Sequence, residues 1–307
     1  MKYLFLVALL YSASLNSQTL NDYLEIATQN NPEIKAAYSE FEAALQKAPQ
    51  VSSLPDPSLT MSAFGRMIET RVGAQEARFS LMQMFPWFGT LDARKNAANL
   101  MAEATFQNYL DSKNEVFLKV KKAYAEIYEI NKMIQLEEKN LQILNNYREL
   151  TLSKFKNGKG PMVDVVRIDI KRNESATNIQ LLKGQNEPFQ IEFNSLLNRE
   201  LDVSINIHDS LIIVENKVPF EKDSLFNSNP KLIRLDKKLL SLEAEKVAER
   251  KEGLPMIGLG LDYSIISKRD VPGLEMNGQD AIMPMLTVTL PIFRKKYNAM
   301  QKEVDLM

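Results

Sequence analysis

The residues of this sequence best equipped for chemistry, by type and spacing, are methionines. There are 14. Met82 and Met84 are two apart, as are Met283 and Met285, and that spacing puts both members of a pair on one face of an extended strand. Thioethers are soft donors that suit Cu(I). They are also flexible apolar fillers, and filling is the reading adopted here, with direct metal contact as the alternative; no metal ligands and no cofactor are assigned. Other chemistry is poorly supplied. The absence of cysteine excludes thiolate nucleophiles, disulfides and Cys-based zinc sites, and one histidine, His208, cannot build a triad or a His-rich metal site. Glu137 and Glu138 lie in a Lys-rich stretch and read as a solvated face rather than an acid–base pair. With no nucleophile beside a base, an enzyme is not expected. One compact group remains, "NGKGPMVDVVR", where Gly158, Gly160, Val163, Asp164 and Arg167 combine a turn with both signs of charge. Its glycines end one helix, and Asp164 is placed to cap the next.

Composition narrows the address of such groups. The 307 residues are 45% hydrophobic and 25% charged, with 38 basic against 39 acidic side chains and a net charge of -1. No global field recruits nucleic acid or an anionic membrane. The start, "MKYLFLVALLYSASLNSQ", has Lys2, an apolar run over 3–11 and small residues Ser12, Ala13, Ser14 and Ser17. This is the pattern of a secretory signal over 1–17, too short to span a bilayer, with a buried N-terminal helix as the alternative. Beyond residue 18 no run approaches a membrane-spanning helix, so the exported chain is soluble, surface-attached or a β-barrel.

The elements that position these residues come in two copies. "NNPEIKAAYSEFEAALQKA" (30–48) resembles "SNPKLIRLDKKLLSLEAEKVA" (228–248), with Asn31-Pro32 matching Asn229-Pro230 as an N-cap followed by Pro at the first helical position. Leu54-Pro55 then matches Leu254-Pro255, and Pro86-Trp87-Phe88 matches Pro291-Ile292-Phe293, at a nearly constant shift of about 200 residues. Between these landmarks each copy has two segments of period two, expected as strands at about 57–65 and 77–86, and at about 256–264 and 282–291. The connections "GRMIETRVGAQE" and "ISKRDVPGLEMNGQD" are polar, contain Gly and are expected as loops. Alternation alone also admits a half-buried hairpin packed on soluble helices.

After the corner "PWFG", residues 90–157 contain neither Gly nor Pro, and a helix of that length would run about 100 Å. Val116, Val120, Ala123, Ile127, Ile130, Ile134, Leu141 and Leu144 follow a 3 and 4 spacing, interrupted where Glu137 takes the next seam position, as in a coiled coil. A tight turn at Gly158, Gly160 and Pro161 sends the chain back along a second helix from 162 to about 198, expected to weaken near Gly184 and Pro188.

Over residues 19–307 the sequence resembles the TolC-like outer-membrane efflux proteins, and within them most closely the heavy-metal and cation efflux branch. The resemblance is carried by "YLEIATQNNPEIKAA", "LPDPSL", "QMFPWFG", "GKGPMVDVVR", "FNSLLNRELD", "NPKL", "LPMIGLGLDY" and "LPIFRKKYNA" in this order. It implies a mainly α chain with a β-barrel portion: four strands per chain, a trimeric twelve-stranded barrel, and long antiparallel coiled-coil hairpins forming a periplasmic tunnel. The repeats then run over 18–201, with the helical hairpin at 90–200, and over 202–307, with a linker, a helix at 229–251, the second strand pair and a truncated helix. The implied function is the passive trimeric exit duct of a tripartite efflux system in the outer membrane of a Gram-negative bacterium, for metal ions, drugs or other small solutes. The implied partners are a homotrimer, a periplasmic adaptor and an inner-membrane pump of RND type, with no nucleic acid.

The resemblance also sorts residues into sites. Pro86, Trp87, Phe88, Gly89, Pro291 and Phe293 become corners at the membrane interface, where amphipathic aromatics belong. Ser58, Thr60, Gly258, Thr287 and Thr289 face the lumen, while Leu59, Met61, Ile257, Leu259, Leu261, Leu286 and Val288 face lipid. Gly158, Gly160, Val163, Asp164 and Arg167 become the adaptor-docking tip. After Phe293, "RKKYNAMQKEVDLM" matches the start of the first long helix and then stops. The 307 residues are therefore expected to be a partial chain that fails alone to form a stable conducting trimer, with no gate residue to name. The rival is an exported coiled-coil adaptor or scaffold protein, which accounts for the long helix but not for two matched strand pairs.

Overall fold

The computed structural model describes residues 19–207 and 222–307. The signal segment, His208 and the linker over 208–221 lie outside them. Two compact units share the chain, Met1–Tyr38 with Tyr109–Glu221, and Ser39–Asn108 with Lys222–Met307.

The first unit is helical. Helix α1 (Leu20–Asn30) opens on a capping box in which Asp22 N–H bonds the Thr19 hydroxyl at 3.3 Å and the Asp22 carboxylate accepts the Thr19 N–H at 2.6 Å. Asn31 both ends α1 and starts α2 (Pro32–Leu45): its Oδ1 accepts the N–H of Glu33 at 2.9 Å and of Ile34 at 3.3 Å, and its Nδ2 donates to Leu196 O at 2.8 Å. The Asn-Pro pair is a restart, as its residue types dictate. Tyr23, Leu24, Ala27 and Ile34 pack with Val116, Val120, Tyr124 and Ile127 of α4 (Thr90–Lys156) and with Phe193 of α5 (Met162–Leu196). The Tyr23 ring meets Phe193 edge-on at 5.0 Å, and its hydroxyl accepts the Asn206 N–H at 2.9 Å.

The seam on α4 is occupied as its spacing predicts. Val116, Val120, Ala123, Ile127 and Ile134 are buried, and Ile130, Leu141 and Leu144 are half-buried. The expected weakness of the return helix does not occur: α5 runs unbroken through Gly184 and Pro188. Proline removes one backbone bond there, but Ile179, Asn186, Phe193 and Asn194 are buried on both sides of it, and packing overrides the local preference.

The second unit carries α3 (Lys47–Ser52), β1 (Ser58–Thr70), β2 (Gly73–Phe85), α6 (Lys222–Ser228), α7 (Pro230–Glu252), β3 (Ile257–Ile266), β4 (Ala281–Val288) and α8 (Arg294–Leu306). Asn229 caps α7 by accepting the Lys231 N–H at 2.9 Å. Ser241 of α7 donates to Ala97 O at 3.0 Å, and ion pairs Arg94–Glu252 at 2.8 Å and Lys237–Glu103 at 2.6 Å tie α7 to the beginning of α4.

The strands form one antiparallel sheet in the order β1-β2-β3-β4. Two expectations are corrected here. Most of the expected loop over 65–76 is strand, with only Arg71 and Val72 between β1 and β2. Its polar residues belong to a longer hairpin in which β1 bulges between Ala63 and Ile68, and β2 between Gln75 and Ala77. At the other end β4 stops at Val288 rather than near 291. The Thr289 hydroxyl accepts the Met256 N–H at 2.8 Å, and Pro291 has no N–H for a ladder.

Candidate functional site

Register fixes the two faces of the sheet. Leu59 stands opposite Leu81, Leu81 opposite Leu261, and Leu259 between Gln83 and Leu286, so one face is a lattice of apolar residues broken by Gln83. Ser58 stands opposite Met82, Thr60 opposite Ser80, Ser80 opposite Asp262, and Gly258 between Met84 and Thr287 on the other. The apolar residues Leu59, Met61, Ile257, Leu259, Leu261, Leu286 and Val288 thus share one face. Ser58, Thr60, Gly258 and Thr287 share the opposite one. Thr289 lies beyond the ladder, with its hydroxyl bonded to Met256.

Exposure of the apolar face is the reverse of what water demands. Leu59 is 57% and Leu286 70% exposed, while Asp262 is 4% exposed on the polar face. There Gln75 Nε2 donates to Ser264 Oγ at 2.8 Å, the Ser80 hydroxyl donates to the Asp262 carboxylate, and Arg78 Nε lies 4.0 Å from Asp262. A soluble hairpin hides its apolar face and wets its polar one. Here polar groups bond one another along the middle of the polar face, where Asp262 and Ser264 are buried while Ser58, Thr60 and Thr287 on the outer strands are exposed, and on the other face aliphatic groups stand bare; such alternation is the pattern of membrane-spanning strands. Sequence reasoning assigned none of Gln75, Arg78 or Ser80 to a site, and the period-two pattern of the third strand puts Asp262 and Ser264 on the face of Gly258 without marking either as a bonded group. Strands β1 and β4 remain as edges, and Pro284 sits in β4, where a missing N–H is tolerated.

Both corners join a strand to a helix. Gly89 takes φ of 73°, a left-handed conformation that favours glycine, and Thr90 N–H bonds Trp87 O at 3.0 Å as α4 begins. Trp87 and Phe88 stand edge to face, 6.0 Å apart, and Phe88 is 80% exposed. In the second copy Pro291 follows β4, and an exposed Phe293 holds the N-cap position of α8.

The tip gathers its five residues at one turn. Gly158 closes α4 with φ of 71°, donating to Phe155 O at 2.9 Å, and Pro161 takes the N-cap position of α5 in extended conformation. Asp164 makes no side-chain cap, a correction to that alternative. It lies in the first helical turn, where the helix dipole favours an acid, and pairs with Arg167 at 3.6 Å. Met162, Val163 and Val166 are exposed around it, while Val165 is buried and anchors the turn.

Behind the tip, polar pairs cross between α4 and α5. Arg148 Nε donates to Asp169 Oδ1 at 2.7 Å, Arg172 Nη1 to the same oxygen at 2.9 Å, and Arg172 Nε to Asn145 Oδ1 at 2.6 Å. The hydrogen bond from Arg148, then that from Arg172, holds the Asp169 carboxyl below the usual carboxylate range. Further along, Ser175 donates to Glu137 Oε2 at 2.8 Å, which explains an acid at a seam position.

Residues 23–191 match the family described as outer membrane efflux protein. The chain belongs to that family. It is by family an efflux protein and not an enzyme. No curated protein matches it by sequence. Among solved structures the chain is similar to CusC, at a TM-score of 0.70 and 15% identity over 95% of this chain and 72% of that one. It is also similar to the CmeC outer membrane channel of Campylobacter jejuni, at 0.66 and 16% over 94% and 64%, and to the outer membrane protein VceC of Vibrio cholerae, at 0.62 and 14% over 94% and 72%. At these identities the likeness is one of fold: this outer membrane efflux protein is mainly helical with a four-stranded antiparallel sheet, as they are in part. No helix among its described residues is long and apolar enough to cross a membrane, which says nothing of its strands.

Proposed function

We propose that this outer membrane efflux protein is the passive exit duct of a tripartite efflux system in the outer membrane of a Gram-negative bacterium. Three copies close their four-stranded sheets into one barrel, edge β1 pairing with a neighbour's β4. The apolar face meets lipid and the polar face meets a water-filled lumen, with Trp87 and Phe88 at the interface. Helices α4 and α5 form tunnel wall in the periplasm. Their tip, Gly158, Gly160, Val163, Asp164 and Arg167, docks a periplasmic adaptor coupled to an inner-membrane pump of RND type. The cargo is metal ions, drugs or other small solutes, with metal ions the first class to test. A duct does no covalent chemistry; it lowers the barrier to crossing by supplying water and a polar lining where hydrocarbon would be.

The observation that carries this reading is the reversed sheet, with bare aliphatic side chains on one face and a bonded, covered Asp262 on the other. An exported adaptor or scaffold uses the α4 seam equally well but has no use for such a sheet. Fractionation and cross-linking of cells making the native protein, or Asp164→Arg, test it. The expected outcome is wild-type trimer in the outer membrane with active efflux, and variant trimer in equal amount without efflux, because an arginine there faces Arg167 and reverses the sign of the turn. Recovery of the wild type as soluble periplasmic protein overturns the duct. Loss of trimer in the variant overturns the docking role of the tip.

A further inference from the structure

Glu249 of α7 is an acid that its surroundings leave unanswered. With Glu245 and Glu252 of the same helix, Arg94 and Ala97 of α4 and Lys47 of α3, it lines a groove of about 360 Å³. Ser241 and Ala248 are buried on this side of α7, and Ser241 donates to Ala97 O, so this is the side that packs on α4. The three glutamates that share it are all half-buried. Arg94, the base that α4 offers them, is engaged by Glu252 at 2.8 Å. Glu249 Oε2 is buried with no hydrogen-bond partner among the described residues.

The charged groups that face Glu249 come from every helix around it. Glu245 and Glu252, one turn before and one turn after it on α7, repel its negative charge. Arg94 of α4 and Lys296 of α8 attract it, and Lys47 of α3 lines the same groove. Burial first, then Glu252 and Glu245, push its carboxyl above the ordinary value, and Arg94 and Lys296 offset only part of this. A buried carboxylate without donors is costly while it is charged, and a proton removes both the charge and the repulsion. Below about pH 4.3 the folded and unfolded chains both hold that proton. The cost appears as pH rises above that value and is complete above the folded one. Among the described residues no group of three His, Cys, Asp or Glu side chains could hold a metal ion, so these glutamates are not a metal site.

We infer that Glu249 is an acid-sensing latch between α4 and α7: protonated, it lets the two helices lock together, and ionised, it loosens them. Helix α4 follows β2 and α7 precedes β3, so the latch stands at the root of the two middle strands. It belongs to one compact unit and does not depend on what the duct carries or docks. Thermal unfolding of the full chain, followed by helical circular dichroism, and amide protection over 241–252, followed by hydrogen exchange, are measured at about pH 7.5 and about pH 4.5. Glu249→Gln keeps the shape of the protonated acid and cannot ionise. It should melt about 2 °C above the wild type at the higher pH and lose most of that advantage at the lower. The protection that α7 gains on acidification should fall about twofold or more in this variant. Glu252→Gln removes one repelling charge and frees Arg94 for Glu249, and should shrink the same gain. A Glu249→Gln chain that melts below the wild type at the higher pH, an advantage equal at both pH values, or a gain in protection unchanged in both variants overturns the latch.

Discussion

Asp169 shows what one side chain does for the helical hairpin. Two arginines from two helices, Arg148 and Arg172, donate to one of its oxygens, fixing the register of α4 against α5 a few turns from the tip. Their hydrogen bonds lower its proton affinity in the folded chain. Stability from a carboxyl whose folded pKa is depressed is fully present above its unfolded value of about 3.9 and is lost as pH falls through the folded value. Asp169→Asn should therefore lower the thermal midpoint of helical circular dichroism at about pH 7 and lower it less at about pH 3, below the unfolded value. An equal shift at both pH values would show that the pair contributes packing and not charge. None of this was legible in the sequence, because Arg148, Asp169 and Arg172 become partners only after the chain turns at Gly158. Caps were legible for the opposite reason: Asn31 and Asn229 act on backbone two or three residues away.

At the scale of elements, the corner residues have a direct readout. Trp87 is the only tryptophan in the chain, so its fluorescence reports one place. In vesicles with brominated lipids, bromine near the headgroups should quench it more strongly than bromine at the chain ends, as for an interfacial aromatic. Strongest quenching from the chain ends would move the corner into the hydrocarbon and displace the strands with it. Strand pairs were legible as alternation because Leu59, Met61, Leu259 and Leu261 keep period two. The extent of the first hairpin was not, because Gly65, Arg66 and Glu69 read as loop and the bulge before Ile68 resets the period. Pro188 misled in the same way: a proline is a local breaker, and the burial of Asn186 and Phe193 that keeps α5 continuous is set by other segments.

The whole molecule is a chain with unfinished edges. Strands β1 and β4 each have one side that pairs with no other described strand, and in lipid every backbone polar group must find a partner, which is why the proposed duct closes its sheets between copies. Cysteine is absent from these 307 residues, so a thiol introduced among them reports its surroundings without background from the sheet or the helices described. Leu259→Cys and Thr287→Cys lie on adjacent strands but on opposite faces, since Leu259 pairs with Leu286 and Thr287 with Gly258. In outer-membrane vesicles a water-soluble, membrane-impermeant thiol reagent entering the lumen should label Thr287→Cys and leave Leu259→Cys unlabelled. Equal labelling of the two, or preferential labelling of Leu259→Cys, would contradict a barrel with lipid on one face of this sheet and water on the other.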